Sequence, residues 1–115
     1  MKHHPITGVS VSLKNISFGS VNNTLRFHPN PVNCDPAIAE VCANPVIKDK
    51  LVLNIVDGLK ASYDKGPVYD AESTWKAGLL MVSSDPVAVD RIGLEIIERK
   101  RKDNKLEAIS GLAKY

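Results

Sequence analysis

An apolar run that leads directly into an amphipathic helix constrains the fold more than any other feature. The run covers residues 77–83, and Asp85 and Pro86 follow it. An aspartate can accept the free backbone N–H groups at a helix start, and proline suits the first helical position because it needs no acceptor there. Apolar residues then recur at spacings of three and four, at Val89, Ile92, Gly93, Ile96 and Ile97. This pattern predicts a strand followed by a long amphipathic helix.

A second apolar run covers residues 51–57 and ends at Asp57 and Gly58, a pair typical of turns. Its length and its β-branched residues favour a buried strand over a helix. Strands that alternate with helices predict an α/β domain with a small, mostly parallel sheet and flanking helices. No repeat or long linker divides the chain, so we expect residues 1–115 to form a single domain.

The other segments are less regular. Residues 6–16 fit both a strand, by alternation, and a helix capped by Thr7, and the pattern alone leaves the two open. Residues 18–33 read as an irregular loop. A short buried helix is expected from Asp35 and Pro36 to the Asn44-Pro45 pair, and residues 59–76 are expected to form a long excursion. Residues 106–112 indicate a final short helix.

Composition excludes several classes of protein. The 15 basic and 13 acidic residues give a formal net charge of +2, too weak to predict a nucleic-acid partner. The basic run at 99–102 is expected to be a solvated helix end, since cations there offset the helix dipole. No apolar run approaches the roughly 20 residues of a membrane span. The first residues also lack the apolar stretch of a signal peptide, so a cytoplasmic protein without a membrane partner is expected.

The acidic residues after the two apolar runs suggest where a site would lie. If the strands are parallel, Asp57 and Asp85 emerge at the same sheet edge, where ligands of open α/β sheets bind. Two carboxylates there could hold a divalent cation such as magnesium, or exchange a proton as catalytic groups. The alternative for each is structural, with Asp57 starting a turn and Asp85 capping a helix. Ser84 and Asp90 flank the same helix start and are candidate ligand-binding residues.

Further candidates lie in the N-terminal third. Lys14 could hold an anionic group and Asn15 a carbonyl, while His28 could act as acid or base. Cys34 at a helix start could be a reactive thiol, although a packing role is the more common one, and it is too far from Cys42 for a disulfide. His3 and His4 are expected at a frayed terminus, where they make a weak metal site. The residues leave open whether the protein is an enzyme or a non-catalytic module that docks a partner.

Several stretches, taken in order, resemble the domain of unknown function 362 family of bacteria and archaea. They are His4-Pro5, Thr7-Gly8-Val9, Leu13-Lys14-Asn15, Arg26-Phe27-His28, Ile55-Val56-Asp57-Gly58, Gly66-Pro67 and Ser83-Ser84-Asp85-Pro86-Val87-Ala88-Val89-Asp90. The resemblance covers residues 3–110 and favours a helix running into Lys14 and Asn15. It places Lys14, Asn15, His28, Asp57, Asp85 and Asp90 within family motifs, but it implies no particular reaction.

The same resemblance carries expectations about what surrounds this chain. Full family members are longer, so the chain resembles the C-terminal portion of a larger α/β domain. Many members carry ferredoxin-like cysteine clusters and some are exported. The two cysteines here match no cluster pattern, so an iron–sulfur centre would belong to a partner. A portion of an α/β domain should expose apolar surface, and self-association or docking to the rest of the domain is therefore expected.

Overall fold

The computed structural model describes residues 1–28 and 31–109, without the side chains of residues 31–33 and 35. The elements in chain order are β1 (Lys2–His4), β2 (Gly8–Ser10), α1 (Leu13–Gly19), α2 (Pro31–Ala43), α3 (Pro45–Lys48), β3 (Asn54–Ser62), β4 (Thr74–Ser83) and α4 (Pro86–Asp103). One four-stranded sheet with flanking helices confirms the predicted α/β class. No helix in this part of the chain is long and apolar enough to cross a membrane.

The sheet has the strand order β2-β1-β3-β4 and is mostly antiparallel. β1 and β2 form one antiparallel pair, β3 and β4 form another, and only β1 and β3 run parallel. The prediction of a mostly parallel sheet was therefore wrong. A parallel crossover needs a dozen or more residues, usually with a helix. β3 extends to Ser62 and β4 begins at Thr74, so the connection between them is too short and joins a hairpin instead.

β3 starts and ends later than the apolar run predicted. The Asp57-Gly58 pair does not end the strand but precedes a β-bulge between Gly58 and Lys60. Asp57 Oδ1 accepts the Leu59 N–H over 2.8 Å, the local bond that turn-forming aspartates make. The Asp57-Gly58 pair therefore lies next to a bulge within β3 and does not end the strand, because β3 continues to pair with β4 as far as Ser62.

Among the residues that the structure describes, one face of the β3–β4 hairpin is covered and the other is not. Val56 faces α4 and forms a core cluster with Val11 and Val89. The opposite face, which we call the open face, carries exposed apolar side chains at Ile55, Leu59, Leu80 and Val82, around the exposed Asp57. The expectation of a buried strand thus holds for alternate residues only.

α4 begins as the sequence predicts. Asp85 is its N-cap and accepts from the N–H groups of Val87 and Ala88, with Pro86 in the first turn. Its buried stripe includes Gly93, where a Cβ atom would lie 2.8 Å from a methyl carbon of Val11, so the helix approaches the core more closely than alanine would allow. The buried residues of the helix are Val89, Gly93, Ile97 and Arg101.

Arg101 is the exception to the predicted solvated helix end, because Arg99 and Lys102 of the same basic run are exposed. The Arg101 side chain is 5% exposed. Nη1 donates to the Tyr63 carbonyl over 2.7 Å and to Asp64 Oδ1 over 3.0 Å, and Nε donates to the Glu107 carbonyl over 2.9 Å. The guanidinium therefore joins the β3–β4 connection to the chain that follows α4.

Both alternatives for residues 6–16 are present in succession. Gly8–Ser10 is β2, and Leu13–Gly19 is α1, with Lys14 and Asn15 in its first turn. The helix that the family resemblance favours therefore exists, but it begins after Val9. Thr7 does not cap it.

α2 begins at Pro31 rather than at Asp35 and carries Pro36 in its interior. The predicted loop over 18–33 is shortened from both ends, by α1 and by α2. The Asn44-Pro45 pair ends α2 as predicted, and Asn44 then caps α3 by accepting the Val46 N–H. Of the residues expected in the final helix, Leu106 and Ala108 are not helical, Ile109 is helical, and Leu112 lies outside the described residues.

Candidate functional site

The two aspartates expected to converge belong to strands that run in opposite directions, since Asp57 lies inside β3 and Asp85 follows β4. Ser83, at the end of β4, pairs with Asn54, whereas Asp57 pairs with Leu80 in the middle of the hairpin. Three residues of strand separate Asp57 from that end, or about 10 Å. Their predicted meeting at the carboxyl edge of a parallel sheet was wrong. Asp57 instead accepts the Leu59 N–H at the bulge, and Asp85 caps α4. These are local structural roles, of the kind that the sequence offered as the alternative for each aspartate.

The start of α4 offers little to an anion. The Asp85 carboxylate already accepts the backbone N–H groups that a ligand would use, at 2.8 Å and 3.2 Å. Its negative charge also opposes an anionic ligand at the helix dipole. Ser84 is exposed beside this cap. Its expected role in ligand binding stays a prediction that this geometry does not favour.

Asp90 reaches from α4 to the start of α1. Its Oδ1 accepts the Ser12 N–H over 2.5 Å and the Leu13 N–H over 3.0 Å. Burial raises the pKa of this carboxyl, and the two backbone hydrogen bonds partly oppose that effect. Asp90 therefore orients the helix turn that carries Lys14, which is a positioning contact between distant parts of the chain.

The residues that do come together are basic. Lys14 and His28 both contact the Phe18 ring, and His4 lies near the His28 ring. Lys2 is close enough to act on Lys14 and His4 through its charge, and we call these four residues the basic cluster. Lys14, His28 and Lys2 each depress the pKa of His4 through their positive charge. The cluster joins β1, the first turn of α1 and the loop that follows α1. It includes two predicted site residues, Lys14 and His28.

Backbone contacts fix the protonation of His4. The residue is 2% exposed, and its Nδ1 accepts the N–H groups of Ile6 and Thr7, both over 3.3 Å. The proton of the neutral ring is therefore on Nε2. Burial first, and then the neighbouring cations, lower its pKa to about 4. His4 is consequently neutral at pH 7 and adds a donor to the cluster without adding a charge.

His28 is half-buried and held on one side. Its Nδ1 lies 2.9 Å from the Thr24 carbonyl oxygen, which can only accept, so Nδ1 carries a proton. The ring packs edge-on against Phe18 at a centroid distance of 4.9 Å and lies 6.3 Å from the His4 ring. Nε2 of His28 is then the atom that can exchange a proton, as its predicted acid or base role requires.

Lys14 is the cation at the centre of the cluster. Its Nζ lies 4.9 Å from the centre of the Phe18 ring, a cation–π contact. Burial lowers the pKa of Lys14, and the charge of Lys2 lowers it further. Within the described residues, no carboxylate oxygen lies within 4.0 Å of this ammonium. Its charge is therefore partly desolvated, and none of the carboxylates whose side chains the structure describes neutralises it.

Cys34 lies beside the cluster but is not activated. It is fully buried inside α2, and its Sγ donates to the Phe27 carbonyl over 3.0 Å. Burial raises the pKa of Cys34, and the charge of Lys14 only partly opposes this. A reactive thiol needs a lowered pKa and access, so the structure favours the packing role.

Asn15 is engaged by residues close to it in sequence. Its Nδ2 donates to the Val11 carbonyl over 2.6 Å, and its Oδ1 accepts from the Ser10 hydroxyl. Among the described residues, no three His, Cys, Asp or Glu side chains form a group that could hold a metal ion. His3 and His4 are buried in β1 and are not at a frayed terminus as expected.

Sequence reasoning missed Lys2 as a site residue and considered His4 only as part of a weak metal site. A signal for His4 was present, because it belongs to the His4-Pro5 family motif. It was overlooked because terminal residues are poorly ordered unless a sheet holds them. Here β1 lies at the centre of the sheet, between β2 and β3.

A scan against protein-family models gives the decisive comparison. The model described as domain of unknown function (DUF362) matches residues 1–95. The chain belongs to the DUF362 family. The match includes β1, α1 and the start of α4, and thus the whole basic cluster and Asp90. Neither a search of curated proteins nor a search of solved structures gave a match.

Proposed function

We propose that this DUF362 domain binds a small anionic ligand, with phosphate or carboxylate groups, at the basic cluster. The observation that carries the proposal is Lys14, a partly desolvated ammonium without a carboxylate partner in the described part of the chain. Removing a charge from water without pairing it is costly, and an anion that binds there offsets this cost. Lys2, whose Nζ also donates to the Pro67 carbonyl over 3.2 Å, adds positive potential around the same position. His28 adds a donor there only in the form that carries a proton on Nε2 as well.

The cluster also supports a chemical step on such a ligand. His28 has one nitrogen fixed by Thr24 and the other available for proton transfer. In this proposal Lys14 holds the anionic group, His4 donates through Nε2, and His28 acts as acid or base. Asp57 and Asp85 are not part of the site. A bound divalent cation is not needed for ligand binding there.

The test is calorimetric titration of the protein with inorganic pyrophosphate and, separately, with succinate, at low ionic strength. We expect one of these probes to bind with Kd below about 1 mM, and Lys14→Met to weaken it at least about tenfold, since a charge-assisted hydrogen bond is lost. Lys60→Met is the matched control, because Lys60 is an exposed lysine on β3. No binding of either probe, or equal binding by the Lys14→Met variant, would contradict the proposal.

A second candidate is a non-catalytic docking module, and the open face favours it. Ile55 is 68% exposed and Leu80 63% exposed. Contiguous apolar surface of this kind commonly marks an interface. In this role the chain would act as one portion of a longer DUF362 domain, and an iron–sulfur centre would be held by a partner. Unchanged anion binding together with loss of partner binding in Leu80→Lys would assign docking to this face.

A further inference from the structure

Lys14 differs from an ordinary anion-binding lysine in how readily its amine can lose a proton. Burial lowers its pKa, and the charge of Lys2 lowers it further. Among the side chains that the structure describes, no carboxylate oxygen lies within 4.0 Å of Nζ to hold the ammonium form. Only an uncharged amine is nucleophilic, and a lysine that is desolvated or lies beside a second cation is the kind that attacks carbonyl groups.

A group that can carry a proton lies near this amine. The Lys14 Nζ and the His28 ring both contact Phe18, each at 4.9 Å from the centre of its ring. The amine and the imidazole are therefore separated by no more than the sum of these two distances. The His28 Nδ1 donates to the Thr24 carbonyl, so in the neutral ring Nε2 carries no proton and can take one up. A nucleophile and an acid–base group thus share one aromatic surface.

We propose that Lys14 forms a Schiff base with a small anionic aldehyde or ketone, such as a 2-oxo acid, and that His28 carries the proton between the steps. This inference rests on the proposed anion site and names the substrate class of that site. The positive charge of the basic cluster attracts the anionic end of the molecule, and the Lys14 amine reacts with its carbonyl group. The charge of Lys2 stays beside the bound anion when Lys14 becomes a nucleophile.

The reaction consumes one lysine ammonium and one carbonyl group and releases one water. The His28 Nε2 takes a proton from the Lys14 ammonium, and Nζ then attacks the carbonyl carbon. An N–C bond forms, and a proton moves from nitrogen to oxygen to give a carbinolamine. His28 returns its proton to the hydroxyl group, the C–O bond breaks and water leaves. The product is a protonated imine with the same single charge as the ammonium, so the cation–π contact with Phe18 also stabilises the product.

Reductive trapping with pyruvate and sodium cyanoborohydride tests the proposal in the wild-type protein. The hydride converts a protonated imine into a stable secondary amine, and peptide mass spectrometry locates it. We expect Lys14 to acquire the reduced pyruvate adduct at least about fivefold faster than Lys60, the exposed lysine on β3 that serves as the matched control. Succinate is anionic but forms no imine, and it should slow trapping at Lys14 without affecting Lys60.

Two variants separate the covalent step from anion binding. Lys14→Arg keeps a positive charge but cannot form an imine, so it should still bind succinate and lose the fast-forming adduct. His28→Asn removes the proton carrier and should slow trapping at Lys14 at least about tenfold, with a smaller effect on succinate binding.

Three results would overturn the proposal: no adduct at Lys14, equal trapping rates at Lys14 and Lys60, or unchanged trapping in a folded His28→Asn variant. If succinate binds in the calorimetric titration while any of these results is found, the Schiff base is excluded and the anion site stands. If neither succinate nor pyrophosphate binds, the anion site itself is contradicted, and this inference with it.

Discussion

At the scale of single residues, His4 shows how backbone contacts can set the chemistry of a side chain. Two N–H groups bond to its Nδ1, and burial removes the ring from water. Both effects favour the neutral ring. In the unfolded chain the same histidine titrates near 6.5, whereas in the folded protein its pKa is about 4. Folding stability must therefore depend on pH through this residue.

Acidification from pH 7 to pH 4 is expected to destabilise the protein. Between pH 6.5 and 4 the unfolded state binds a proton at His4 that the folded state does not, so the free energy of unfolding falls as the pH is lowered. The full effect is on the order of 3 kcal/mol. Urea denaturation across this range should show a shallower fall for His4→Asn than for the wild-type protein. Equal slopes would contradict the assignment of the shift to His4.

The sequence failed to predict the environments of Arg101 and His4 for the same reason. Arg101 and His4 were read from their neighbours in sequence, as a solvated charge and a frayed terminus. Their actual environments come from Tyr63, Glu107 and the central position of β1, which no local pattern encodes. Lys14 and His28 were identified as site candidates, but only the fold brings them next to His4.

At the scale of elements, α1 depends on a helix far away in the sequence. The hydroxyl of its N-cap residue, Ser12, donates to Asn54 and does not cap the helix. Asp90 of α4 supplies the missing acceptor for Ser12 and Leu13. A helix of seven residues is marginal alone, so this contact should decide whether the turn that carries Lys14 forms.

Asp90→Ala is expected to lower the free energy of unfolding by about 2 kcal/mol, because two partly buried N–H groups lose their acceptor. Asp90→Asn should cost less, since its amide oxygen can still accept and carries no charge to desolvate. Asp103→Ala, at an exposed position near the end of the same helix, should stay within about 0.5 kcal/mol of the wild type. Chemical denaturation followed by circular dichroism measures all three. A loss of less than about 0.5 kcal/mol for Asp90→Ala would show that its hydrogen bonds to Ser12 and Leu13 are dispensable.

Elements with local signals could be predicted, and pairings could not. The start and stripe of α4 follow from Asp85, Pro86 and a helical period, all within one segment. The antiparallel pairing of β3 and β4 depends on where β3 ends, and the Asp57-Gly58 turn signal pointed to the wrong residue. That single boundary error changed the sheet from antiparallel to parallel and placed the two aspartates together at a carboxyl edge that this hairpin does not have.

At the scale of the whole molecule, the described parts of the chain cover the β3–β4 hairpin on one side and leave the other side exposed. α4 packs on one face, and the open face leaves Val82 60% exposed and Leu59 56% exposed. Apolar surface of this extent is a liability in water unless another surface covers it. The open face is therefore the surface through which we expect the chain to self-associate.

Sedimentation velocity at several protein concentrations should show reversible association of the wild-type chain. Leu80→Lys places a charge in the centre of the open face and should shift the protein towards the monomer. Leu25→Lys is the control, because Leu25 is 76% exposed and lies outside that face, and it should associate as the wild type does. A monomeric wild type at all concentrations, or equal association of both variants, would rule out this face as the contact.

The position of Arg101 also bears on how this domain should be delimited. The family match stops at residue 95, within α4, whose last residue is Asp103. A truncation at that boundary would delete the guanidinium and leave the Tyr63 carbonyl and the Asp64 carboxylate without their donor. The C-terminal limit for recombinant work should instead lie beyond Ile109, which is buried and lies against Gly8.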